Sequence, residues 1–197
     1  MTDITTSAWA VLALAARLTL CAIFVPSAIG KLRDMRGFVG GVLDYRVLPV
    51  PLARAFAWAL PLIELALVFA LLLGVAPALT GVATALLLTA FIAAVGLNLR
   101  RGRAVRCSCA GAGADRVISW GLVARNVLLV VLTVPVALLP PTALGPLLWL
   151  GEPAATVVLA LTVASWLVIL QLVEWLVDLA QRQAAFATSL GARKRNT

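Results

Sequence analysis

The sequence predicts an all-α integral membrane protein, a bundle of five transmembrane helices, and three observations carry that prediction. Of 197 residues, 63% are hydrophobic and only 12% are charged, against roughly 25% charged in soluble domains. The mean hydropathy is +1.07, so the polar side chains are too few to cover a water-soluble globule. Five apolar runs each approach the about 20 residues that a helix needs to cross a hydrocarbon core. Helices are required because an open sheet would leave backbone groups unsatisfied in lipid, and the runs lack the alternation of barrel strands.

In chain order the spans run roughly from Ala8 to Ile29, Ala53 to Val75, Ala78 to Leu97, Ile118 to Leu139, and Pro153 to Val177. No Lys or Arg precedes the first span and Arg17 interrupts it, so it reads as a retained helix and not as a cleaved signal peptide. The stretch from Arg33 to Pro49 interleaves Phe38, Val39, Val42, Leu43 and Tyr45 with Arg and Asp, the pattern of an amphipathic interfacial segment. Its three glycines argue against one continuous helix. Only the Val75-Ala76-Pro77 turn separates the second and third spans, which therefore form an antiparallel hairpin.

Basic residues give the orientation. Fourteen of the sixteen Lys and Arg fall between the first and second spans, between the third and fourth, or after the fifth. The positive-inside rule puts these segments in the cytoplasm and the N-terminus outside, as in a multi-pass protein of a bacterial inner membrane. The formal charge of +8 is then explained by anionic lipid at the cytoplasmic leaflet, without nucleic acid. Lys31 and Tyr45 read as interface residues in this scheme.

Four ionisable residues fall inside spans: Arg17, Glu64, Arg125 and Glu174. An unpaired charge near the bilayer centre costs about 2.5 to 3.5 kcal/mol on insertion scales, so these side chains should face the bundle interior. Helix rise places Arg17 and Glu64 at similar depth, which predicts a midplane ion pair. A protonated Glu64, hydrogen-bonded across helices, is the alternative. Arg125, next to Asn126, and Glu174 both approach the cytoplasmic end, where a second pair can form. These groups read either as locks on the bundle or as a proton path or headgroup site, for example for a quinone.

Chemistry beyond lipid contact is concentrated in the segment from Asn98 to Asp115. With no His and three Cys, a His-held haem, a His-rich zinc site and a Ser-His-Asp hydrolase are excluded. No metal is assigned. Cys107 and Cys109, one residue apart in a glycine-rich loop, can join only in a bent, strained disulfide, which suits electron exchange better than stapling. Arg100, Arg101, Arg103 and Arg106, together with a helix N-terminus near Ile118, favour the thiolate. Idle thiols in a reducing compartment are the competing reading. Cys21, inside the first span, reads as a small buried apolar residue and serves as a third thiol only if the loop folds back into the membrane.

Several pieces in order resemble the MauE proteins of methylamine utilisation, within the wider DoxX-like membrane proteins. They are Gly30-Lys31-Leu32-Arg33-Asp34, Tyr45 to Pro49, Leu60-Pro61-Leu62-Ile63-Glu64, Asn98 to Gly102, Cys107 to Gly111, and Ser119-Trp120 followed by Arg125-Asn126. The similarity extends from about Arg17 to Leu139. Ser108 and Ala110 depart from the family pattern, which more often has Gly between the cysteines and Phe after the second. The resemblance implies a four-helix core over residues 1–140, with residues 141–197 adding a fifth helix and a basic tail.

It also implies a membrane factor that assists maturation of a disulfide-rich exported enzyme subunit beside a thioredoxin-like partner. The preferred reading is therefore a thiol-disulfide relay through Cys107 and Cys109, with Glu64 and Arg17 or Arg125 organising the interior. Alternatives are a noncatalytic subunit anchoring a partner complex, and a quinone-linked electron-transfer subunit. The exported target conflicts with a cytoplasmic cysteine loop. Electrons then cross the membrane, or the loop inserts into the bundle, or the cysteines are not the working groups.

Overall fold

A computed structural model describes residues 2–103, 106–107, 116–138 and 153–195. It comprises α1 (Thr2–Arg33), α2 (Met35–Asp44), α3 (Val50–Leu73), α4 (Pro77–Arg100), the short strands β1 (Arg106–Cys107) and β2 (Arg116–Val117), α5 (Trp120–Leu138) and α6 (Pro153–Arg195). Five of the helices are long and apolar enough to cross a membrane. The chain is thus a helical membrane bundle, and each apolar run of the sequence overlaps one helix.

Helices α1, α3, α4 and α5 surround a core that includes Leu20, Phe24, Leu60, Leu71, Leu88, Leu129 and Val136. Helix α1 packs on α3 and α5, and α4 on α5 and α3. Close approach has visible causes. At Gly81 a Cβ would stand 2.7 Å from the Ala137 Cβ, so α4 and α5 touch almost backbone to backbone, the small-residue contact that substitutes for hydrophobic driving force in lipid. Hydroxyls inside the spans are satisfied locally, with Thr19 donating to the Ala15 carbonyl and Thr84 to that of Thr80, each at 2.7 Å.

Helix α6 lies against α5 and α1. Among its described side chains only Leu170 and Glu174 are buried, so most of those described are exposed or half-buried. Its 43 residues extend about 65 Å at 1.5 Å per residue, longer than the hydrocarbon thickness.

Helix α2 is continuous despite its glycines. Asp34 caps it by accepting from the Gly37 N–H at 3.0 Å. A Cβ at Gly37 would collide with the same Asp34 carboxylate, so this glycine permits the cap. Met35, Phe38, Val42 and Tyr45 recur at helical spacing, and this stripe packs against the bundle.

The chain reverses between α3 and α4 through Gly74, whose φ of 66° is left-handed, while the Val75 N–H bonds back to the Ala70 carbonyl at 3.0 Å. The first span continues to Arg33, past the Ile29 limit read from the sequence, because Lys31 is neutralised inside the bundle.

Candidate functional site

Two places in the bundle concentrate chemistry. The first is inside the membrane. Lys31 and Glu64 form a salt bridge with each side chain 1% exposed. Lys31 Nζ also donates to Ser27 Oγ at 2.6 Å, one helical turn back along α1. The rings of Phe38 and Phe91 each place their centroid 5.5 Å from the ammonium, within cation–π range. Lys31 is therefore held by α1, α2, α3 and α4 at once.

The geometry follows from side-chain direction. Cα–Cβ bonds tilt toward a helix's own N-terminus. Helices α1 and α3 run antiparallel, so Lys31 reaches back into the bundle and Glu64 leans toward it from the opposite direction. The second Glu64 oxygen, Oε2, is buried with no hydrogen-bond partner among the described residues.

This arrangement corrects two sequence expectations. Lys31 is not an interface residue, because its ammonium turns inward to a carboxylate and two rings. Glu64 does not pair with Arg17. Cys21 lies opposite Val68, its Sγ 3.9 Å from that carbonyl, and this register carries Arg17 on to the end of α3. There its Nη1 would be 3.3 Å from a Cβ on Gly74, ten residues or about 15 Å along α3 from Glu64. Arg17 is 6% exposed, and its Nε has no partner among the described residues. Its setting is the α3 C-terminus, the negative end of the helix dipole.

Arg125 donates from Nη1 to Glu174 Oε2 at 3.3 Å, joining α5 to α6. Nearby, Gly121 lets the helices close, since a Cβ there would lie 2.6 Å from Asp178 Oδ1. Asn126 is buried next to Arg125. Cys21 is a free, buried thiol in the core.

The second place is the cysteine hairpin between α4 and α5. Strands β1 and β2 are antiparallel, with Arg106 opposite Val117 and Cys107 opposite Arg116. Cys109 lies outside the described residues. Both roots of the hairpin are fixed. Helix α4 ends in a Schellman turn: Gly102 has φ 64°, its N–H bonds to the Leu99 carbonyl at 3.0 Å, and the Arg103 N–H bonds to that of Asn98 at 3.1 Å.

On the return side, Ser119 caps α5 by accepting from the Leu122 N–H at 3.2 Å. Ile118, 4% exposed, enters a second apolar cluster with Val95 and Leu122, against which Tyr45, Leu99 and Val123 pack. Burial pushes the Tyr45 phenol up to about 12.

Sequence reasoning missed Lys31 as the partner of Glu64, and missed Ser27, Phe38 and Phe91 around it. The spacing of Ser27 and Lys31, four residues apart on one helix face, was the available signal.

A family profile described as methylamine utilisation protein MauE matches residues 9–139, which takes in α1 from residue 9, both sites and α5, and stops before α6. Among curated proteins, the chain is 38% identical over 130 residues to methylamine utilization protein MauE of Paracoccus denitrificans, covering 66% of this chain and 70% of that protein. It is 36% identical over 128 residues to the protein of the same name in Methylorubrum extorquens, covering 64% and 69%. A 98-residue match at 36% identity to the Methylophilus methylotrophus protein covers 49% and 52%. No solved structure matches. With the profile spanning well over half of its length, this chain belongs to the MauE family.

Proposed function

We propose that this protein is a membrane-embedded accessory factor of methylamine utilisation that exchanges disulfides through Cys107 and Cys109. The family description and the names of its relatives support the pathway. One observation supports the chemistry: the antiparallel ladder sets Cys107 opposite Arg116 in a hairpin fixed at both roots. A permanently cationic residue type opposite a thiol favours the thiolate, the form that attacks a disulfide.

The exchange is electron-neutral. A Cys107–Cys109 disulfide is reduced to two thiols as two thiols on a partner become a disulfide, and the reverse flow uses the same atoms. The step calls for no cofactor. The partner is a thioredoxin-like protein or an exported cysteine-rich chain. In the proposed orientation the N-terminus is outside, while the hairpin and C-terminus face the cytoplasm of a bacterial inner membrane, beside anionic lipid.

The test is labelling with a membrane-impermeant maleimide on intact cells and inverted vesicles, before and after reduction, in a Cys21→Ala background. Labelling only in inverted vesicles, and only after reduction, is the expected result. Labelling there without reduction shows free thiols and overturns a resting disulfide, leaving a scaffold or thiol-donor role. Labelling of intact cells reverses the orientation and leaves the thiol chemistry facing the exported target.

A further inference from the structure

The two sites are joined by one element. Helix α2 is pinned at Phe38 beneath the Lys31 ammonium, and its C-cap Tyr45 packs against the apolar cluster that contains Ile118, the residue that follows β2. Phe38 and Tyr45 are seven residues apart, about two turns and 10.5 Å along one helix face. Met35 and Val42 lie on the same stripe and also pack against the bundle. Between the two contacts there is no hinge, since the helix runs unbroken from Met35 to Asp44 and Tyr45 keeps helical φ and ψ.

We propose that α2 is a strut that transmits the position of the Lys31–Glu64 pair to the root of the cysteine hairpin. Lys31 and Phe38 are then positioning residues for Cys107, although both are buried in the bundle. The pair fixes Lys31, because its carboxylate is supplied by α3 and its hydroxyl contact by Ser27 on α1. Lys31 orients Phe38 through the ring face. Phe38 sets α2, and α2 seats Tyr45 in the cluster that holds Ile118.

Moving α2 draws Tyr45 away from the cluster that contains Ile118 and loosens the return strand. The hairpin's other root, the Schellman turn after α4, is closed by backbone bonds within residues 98–103, so the effect is greater on the β2 side. The inference deepens the thiol-exchange reading and takes its functional meaning from it, but its physical content is the reactivity of one cysteine.

The test uses the full chain in membranes with Cys107 as the sole cysteine (Cys21→Ala, Cys109→Ser) and measures the rate of maleimide addition. Phe38→Leu keeps the apolar volume and removes the ring; the rate should rise about threefold or more, the lower range of coupling between contacting residues. Phe38→Tyr restores the ring and should return the rate to that of the parent. Gly81→Ala loosens the α4–α5 contact away from α2 and should leave the rate unchanged. Where Phe38→Leu fails to fold, the Lys31→Met, Glu64→Leu double variant replaces it and should raise the rate similarly.

An unchanged rate in a folded Phe38→Leu protein overturns the strut, as does an equal rise in Phe38→Tyr or Gly81→Ala. A single-cysteine chain forms no internal disulfide, so this outcome is independent of whether partner exchange occurs.

Discussion

Removing the Lys31 ammonium gives the sharpest test of what holds the bundle interior together. Lys31→Met keeps a long unbranched apolar stem but leaves Glu64, 1% exposed, without its cation. Breaking a buried ion pair from one side costs about 3 to 5 kcal/mol, because the remaining charge is stranded. Two ring contacts at 5.5 Å add about 0.5 to 2 kcal/mol each when desolvated. Protonation of Glu64 limits the loss, so the lower half of that combined range, about 4 to 6 kcal/mol, is expected.

The double variant Lys31→Met, Glu64→Leu removes both charges, and replacing a buried pair by apolar groups is often neutral. It should therefore recover most of what the single variant loses. The assay is reversible unfolding in mixed detergent followed by tryptophan fluorescence, run as a double-mutant cycle with Glu64→Leu. A loss below about 1 kcal/mol in Lys31→Met, or a double variant as unstable as the sum of the singles, would refute the ion-pair lock.

Gly81→Val drives a branched side chain into Ala137, whose Cβ would already lie 2.7 Å from a simple Cβ; the overpacking should cost about 1 to 3 kcal/mol or more in unfolding measurements, and an unchanged midpoint would show that α4 and α5 are not in backbone contact. Exchanging charges across α5 and α6, Arg125→Glu with Glu174→Arg, should restore stability lost in either single variant; absence of any recovery would show that the 3.3 Å contact is not a pairwise attraction.

Tyr45 is the single tyrosine, so tyrosinate absorbance reports it alone. With its pKa raised from 10.0 to about 12, the folded protein holds a proton that the unfolded chain releases between those values. Stability should fall as pH rises from 10 toward 12. A phenol titrating at the ordinary value in folded protein would place Tyr45 in water.

The spans were legible because lipid permits so few solutions. A run such as Val50–Leu73 must be a helix, and the Val75-Ala76-Pro77 sequence leaves it only an antiparallel return. The hairpin was not legible, since two-residue strands leave no periodic pattern, though the glycine-rich cysteine loop marked its place. In α2, glycine propensity pointed the wrong way. The Asp34 cap needs Gly37, and burial of Phe38 rewards continuity beyond it, so local preference yielded to capping and packing.

The pairing of the intramembrane charges shows why depth arithmetic falls short. Counting residues from the outer helix ends put Arg17 level with Glu64 by setting the start of α1 level with the end of α3, and the position of Lys31 next to the basic segment after the first span put it at the interface. A lysine spans several ångströms, and on α1 that reach is directed back into the bundle. The deep cation has therefore recruited a carboxylate and two aromatic faces, whereas Arg17, beside Gly74 at the end of α3, has the helix dipole.

A dipole contributes about 0.3 to 1 kcal/mol at exposed sites and up to about 2 when partly buried, short of the about 2.5 to 3.5 kcal/mol of a central unpaired charge. It suffices only where the charge is shallow, and the α3–α4 turn is such a place. Lys31 must then be left out of the charge bias that orients the chain, because its charge is spent inside the bundle. Arg33, Arg36, Arg46 and Arg54 remain exposed around α2 and the start of α3, so that segment stays basic and the proposed orientation keeps its physical ground.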